Sequence, residues 1–222
     1  MEGAPLRISR VDMLPEDCAY GPLGGTDELR ACVAEYYNRL YRRGAGGAAP
    51  YGPANVCVGS GGRLVLTRVM AALGSGCKVG YLLPDYTAYE DMLETHMHRL
   101  TPVPVRGSPE DGFAFTAARL LAEIDAHALR ALLLSNPGNP TGCVIAGGEL
   151  RALVDGARAR GCTLILDEFY SHFIYTPAGA PGAGPVSAAA YVGDVERDKV
   201  IIIDGLTKNH RYPGWRVGWA LG

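Results

Sequence analysis

Apolar residues fall into two alternating periods along most of the chain. Short runs rich in Val, Ile and Leu recur at residues 55–58, 79–83, 100–105, 129–135, 162–167, 200–204 and 216–220, and read as strands. Between several of them the apolar positions recur at helical spacing, over residues 63–73, 86–95, 117–127 and 148–160. Ahead of the first run, Leu29, Cys32, Val33, Tyr36, Leu40 and Tyr41 mark an amphipathic helix over residues 26–43, with Thr26 as its cap and Gly44 as its stop. Arg39, Arg42 and Arg43 then read as a solvated helix end. Residues 176–190, rich in Pro, Gly and Ala, predict an irregular loop. Strands alternating with helices imply an α/β fold, a doubly wound, mostly parallel seven-stranded sheet.

Composition narrows the function classes. The 222 residues are 48% hydrophobic, enough for one sizeable core. A formal net charge of -2 gives no electrostatic case for nucleic acid or a charged membrane surface. No apolar run approaches the ~20 residues needed to span a bilayer, and the first residues lack the apolar stretch of a secretory signal. The six cysteines (18, 32, 57, 77, 143 and 162) form no Cys-x-x-Cys pair and read as small buried hydrophobes in a reducing compartment, so the expected location is cytoplasmic.

The residues able to do chemistry gather at strand ends. Lys208 follows the run 200–204 and its Asp-Gly turn, which places it at the carboxyl edge of the sheet, where open α/β sheets bind ligands. The other two lysines, Lys78 and Lys199, open apolar runs and belong to the opposite edge. Gly59-Ser-Gly-Gly62 joins a strand to a helix, so its backbone N–H groups suit a phosphate, although such a turn is more often only a tight turn. Tyr86 and Tyr89 follow another strand, either as half-buried packing residues or as a plate for an aromatic ring. Ser135-Asn-Pro-Gly-Asn-Pro-Thr-Gly142 makes a rigid loop whose Asn-Pro steps could be cis. Asp167 and Glu168 alternate faces and cannot form one acid–base pair, so Asp167 is expected to face a cation and Glu168 to be structural. His172 reads as a packing residue. His96 and His98 lack a third partner for a metal, and no Gly-x-Ser-x-Gly elbow is present. A phosphate cradle, an aromatic plate, an amide, a carboxylate, a lysine and an arginine along one edge match the needs of a phosphorylated aromatic aldehyde.

Four motifs in order carry a resemblance to the fold-type I pyridoxal-phosphate enzymes of the class I/II aminotransferase group. They are Tyr20-x4-Gly25-x3-Leu29-Arg30, Asn136-Pro-Gly-Asn-Pro-Thr-Gly142, Asp167-Glu-Phe-Tyr170 and Thr207-Lys-x7-Arg216-x-Gly218. The resemblance implies pyridoxal 5'-phosphate as cofactor and an aminotransferase acting on amino-acid and keto-acid substrates. It makes Lys208 the imine-forming lysine and proton shuttle, and Asp167 the partner of the ring nitrogen. Asn139 and Tyr170 would bond the phenolic oxygen, and Tyr86 would stack on the ring. Arg216 and the backbone of Gly61, Gly62 and Arg63 would hold the phosphate. Tyr20 would reach the phosphate of a second subunit, which implies a homodimer with shared sites. Gly205 stands where many relatives carry a phosphate-binding serine. Residues 1–44 are expected to be an N-terminal segment with its helix, and residues 45–222 the cofactor-binding large domain. The resemblance leads to the expectation that the smaller C-terminal domain, with its arginine for the substrate carboxylate, is absent here, the chain being either a fragment or an unusual minimal form. Two alternatives stay open: another reaction of the same cofactor (lyase, cyclase or synthase), and a non-catalytic cofactor-binding fragment.

Overall fold

The structure, a computed structural model, describes residues 10–43, 49–175 and 184–222. Seven strands form one sheet: β1 (Val56–Gly59), β2 (Cys77–Leu83), β3 (Leu100–Arg106), β4 (Ala131–Ser135), β5 (Thr163–Asp167), β6 (Val200–Gly205) and β7 (Gly218–Leu221). Their spatial order is β1-β7-β6-β5-β4-β2-β3. Only β7 runs against its neighbours, β1 and β6; every other pairing is parallel. The helices are α1 (Asp27–Tyr41), α2 (Gly62–Ala72), α3 (Ala88–Glu94), α4 (Ala117–His127) and α5 (Gly147–Ala159).

Parallel strands buried on both faces explain why the apolar runs are continuous rather than alternating. In β4, Leu132 and Leu134 pack with Val33 and Tyr37 of α1, Leu120 of α4 and Leu150 of α5. Leu133 between them points to the other face, against Leu66 and Met70 of α2 and Tyr89 and Leu93 of α3. All three leucines are fully buried, so trimming any of them to alanine costs about 2–5 kcal/mol. The polar residues that break the pattern sit where β1, β2, β4, β5 and β6 end and β7 begins, all at one edge.

Several details depart from the sequence expectation. Helix α1 starts as expected, with the Thr26 hydroxyl accepting the Leu29 N–H, but of the expected stripe only Val33 is buried, beside Ala34 and Tyr37, which the stripe did not include. Leu29, Cys32 and Leu40 remain exposed, and Gly44 lies outside the described residues. Arg42 is not solvated. It is buried and donates to the carbonyls of Ala49, Ala189 and Val192, pinning the end of α1 to a 3-10 turn at Ala188–Tyr191. That turn replaces part of the expected loop, whose residues 176–183 lie outside the described set. Of the six cysteines only Cys77 and Cys162 are buried; Cys18, Cys32 and Cys57 are exposed, Cys57 because β1 is an edge strand. The last strand begins at Gly218 rather than residue 216, because a 3-10 turn at Pro213–Trp215 leaves Arg216 in the left-handed region at φ 54°. Among the described residues no helix is long and apolar enough to cross a membrane.

Candidate active site

A cleft of about 750 Å³ opens at the edge where these strands end. Its floor and walls include Gly62, Arg63, Tyr86, Asn139, Asp167, Tyr170, Lys208 and Arg216. Residues from six separate segments thus converge because parallel strands bring their following loops to the same edge. Lys78 and Lys199 sit at the other ends of their strands, with their ammonium groups on the carbonyls of His127 and Gly161. Lys208 is the one lysine in the cleft.

One end of the cleft is built for an anion. Helix α2 starts here, so its first N–H groups lack partners within the helix and its dipole points a positive end inward. Gly61 is in the left-handed region at φ 81°, and a side chain there would run into the Arg216 guanidinium. A side chain at Gly62 would enter the Phe169 ring. Glycine is therefore required for the arginine and the helix terminus to approach the same space. Below them Gly205 of β6 pairs directly with Gly218 of β7. A Cβ on Gly218 would lie 2.9 Å from the Gly61 and Gly62 backbones, so this bare pair lets α2 sit close to the sheet.

The other end is built for a flat ring with a cationic edge. Asp167 closes β5 and is buried. Its carboxyl accepts the Tyr89 hydroxyl at 2.8 Å and the Phe169 N–H at 3.3 Å. Burial pushes it up to about 6, with these two bonds pulling the other way. Among the described residues it has no ion pair with a lysine or arginine, so the expected cationic partner is not supplied by the chain. The Tyr86 ring stands edge-on to Tyr89 at 5.5 Å, and its hydroxyl accepts from Arg63 at 2.8 Å. The Lys208 ammonium lies 5.6 Å above the Tyr170 ring.

Behind Lys208, the Asn209 amide ties two loops together. Its nitrogen lies 3.0–3.3 Å from the Ser171 hydroxyl, the Glu168 carbonyl and both Asp204 carboxyl oxygens, while its oxygen accepts the His172 N–H. Glu168 points away from the cleft and accepts the Ala188 N–H, which bears out a structural role. Burial pushes both Glu168 and Asp204 up to about 8, with the hydrogen bonds each accepts pulling the other way. His172 bonds the Tyr36 hydroxyl of α1 at 2.6 Å.

Eight of the residues singled out from sequence line the cleft, and Gly61 shapes it from below. Tyr20 does not join them; it is fully exposed. Both Asn-Pro bonds of the 136–140 loop are cis. Ser60, Ser135, Phe169 and Thr207 also line the cleft and were not singled out. All four lie inside the quoted motifs, but Phe169 reads as core and the three hydroxyl residues read as loop.

Known proteins resemble this chain in sequence and fold. The sequence model described as aminotransferase class I and II matches residues 10–222. An arginine–pyruvate transaminase of Pseudomonas aeruginosa is 30% identical over 99% of this chain and 52% of its own length. An aspartate aminotransferase of a Bacillus species is 28% identical over 91% of this chain and 48% of its own. The solved aspartate aminotransferase of Thermus thermophilus with maleate superimposes with a TM-score of 0.75 at 27% identity, over 92% of this chain and 49% of that one. The chain spans about half the length of the curated relatives it matches. On the extent of the family match and the agreement in fold, the chain belongs to the class I and II aminotransferase family.

Proposed function

We propose that the chain is the cofactor-binding part of a cytoplasmic, pyridoxal-phosphate-dependent aminotransferase that acts on an amino acid. Residues 45–222 would form the cofactor-binding unit, and residues 1–44 an arm and helix beside it. The observation that carries the reading is the meeting of Lys208, buried Asp167 and the α2 terminus with Arg216 in one cleft. The residues fit the cofactor. The glycine cradle leaves room that any side chain would fill, and the buried Asp167 carboxyl lacks the cation that a protonated ring nitrogen would provide.

When bound, the cofactor supplies an aldehyde for amine attachment and a protonated ring that accepts electrons. The Lys208 amine would hold the cofactor and would move the proton at the substrate α-carbon. Asp167 would hold the proton on the ring nitrogen. Asn139 and Tyr170 would bond the phenolic oxygen, Tyr86 would cover a ring face, and Arg216 with the N–H groups of Gly61, Gly62 and Arg63 would hold the phosphate. Tyr20, fully exposed and outside its own cleft, is suited to reach the site of a second copy in a homodimer. Incubation with pyridoxal phosphate, borohydride reduction and peptide mapping should place the cofactor on Lys208; an adduct on Lys78 or Lys199 would refute the assignment. Amino donors, beginning with the arginine and aspartate named for the relatives, should convert the cofactor to its amine form, and a keto acid should reverse this. Product release with the cofactor returned as aldehyde would indicate a lyase or cyclase instead.

A further inference from the structure

Asp85 is a buried carboxyl that none of the roles above uses. It follows β2 and Pro84 and lies behind the cleft wall. One of its oxygens accepts the Tyr86 N–H at 2.7 Å and also the Ser135 hydroxyl. The other accepts the Ser135 N–H at 3.0 Å. Because the Ser135 hydroxyl spends its hydrogen on Asp85, its lone pairs are free to accept, and they take the Asn139 N–H at 2.9 Å. One carboxylate therefore grips the backbone of the plate residue directly and that of the amide residue through one serine.

We propose that Asp85 is a positioning residue that holds Tyr86 and Asn139 in register with each other across the cleft, Ser135 being its relay. The inference rests on the cofactor reading for its purpose, but the bonds exist without a ligand. A carboxylate is required at this position because all three groups pointing at it are donors and only an acceptor-only side chain satisfies them together. Three donors offset much of the cost of keeping a charge here. Burial nonetheless pushes the carboxyl up to about 6, which leaves it ionised at neutral pH.

The test compares wild-type protein with Asp85→Asn and Ser135→Ala. The asparagine keeps the size but turns an N–H₂ toward at least one of the three donors. In ligand-free protein, hydrogen exchange of the Tyr86 and Asn139 amides should speed up in Asp85→Asn. In Ser135→Ala it should speed up at Asn139 alone. With pyridoxal phosphate, Asp85→Asn should bind roughly ten- to a hundredfold more weakly, as loss of one to two bonds to a charged group implies. It should also lose much of the dichroism induced in the cofactor band, which reports how rigidly the ring is held. Unchanged exchange at both amides, or unchanged affinity and dichroism in Asp85→Asn, would overturn the proposal. Wild-type protein that ignores the cofactor would defeat the functional reading instead, and the exchange data would still decide whether Asp85 positions the two residues. If Asp85→Asn fails to fold, Ser135→Ala decides: an Asn139 amide as protected as in wild type removes the relay.

Discussion

Replacing Gly205 by alanine isolates the steric demand of the bare strand pair under the cleft. Its backbone is not in the left-handed region, so no conformational strain accompanies the change. The added Cβ would stand 2.5 Å from the Val217 carbonyl oxygen, 2.8 Å from the Gly218 Cα and 3.1 Å from the Phe169 ring. Ordinary contacts between carbon atoms are about 3.5–4.0 Å, so β7 must retreat by several tenths of an ångström to an ångström. The two closest atoms are backbone, fixed by the antiparallel pairing of β6 with β7, and cannot rotate aside. Overpacking of this kind costs about 1–3 kcal/mol, and the upper end applies where only backbone can yield. The smaller entropy of the unfolded alanine chain returns about 0.4–1 kcal/mol, less than the clash. A net loss of ~2 kcal/mol corresponds to a melting temperature roughly 4–8 °C lower for a chain of this size. Calorimetry of ligand-free Gly205→Ala against wild type measures it directly. A variant melting within about a degree of wild type would refute the argument that glycine is kept at 205 for space.

Three further outcomes follow from the geometry. Asp167→Ala should still attach the cofactor at Lys208 but slow α-proton removal by orders of magnitude in single-turnover mixing with an amino donor; near wild-type rates would make Asp167 merely structural. The folded state holds protons on Glu168 and Asp204 up to about pH 8, whereas the unfolded chain loses them near pH 4, so stability should decline as pH rises through that window and level off above it. Melting temperatures from pH 5 to 9 should show that decline, and Asp204→Asn should flatten it; an equal slope in the variant would remove Asp204 as a cause. Arg42→Ala should cost about 2–4 kcal/mol in chemical denaturation by stranding the carbonyls of Ala49, Ala189 and Val192, whereas a change under about half a kcal/mol would return Arg42 to the solvated class.

The strands were legible because a sheet covered on both faces writes an uninterrupted apolar run, as at Leu132–Leu134 of β4, and only the ends blurred. Those ends blurred for a physical reason: Arg216 has the flanking pattern of a strand residue, but a left-handed turn removes it from the ladder and leaves it lining the cleft. Lys208 and Asp167 were legible because their types are unusual at the ends of apolar runs, whereas Asn139 was named through the resemblance of its Asn-Pro-Gly-Asn-Pro motif. Asp85 and Ser135 were not, since a carboxylate after Pro84 and a serine before Asn136 look like ordinary turn residues until their bonds are seen. Arg42 and the cysteines erred in opposite directions for one cause. Residue type sets a preference for burial, but the neighbours of a helix end or an edge strand decide it, and those come from distant sequence.

The Asn209 amide offers two hydrogens to four oxygens drawn from the β5 exit and the β6 end. The segment that carries Tyr170 and the segment that carries Lys208 are thus two halves of one joint. A chimera that grafts residues 168–172 from a relative without residues 204–209 would receive half of it, and the mismatch would fall on the position of the lysine. Transplanted together, the two segments should travel between scaffolds as one cassette.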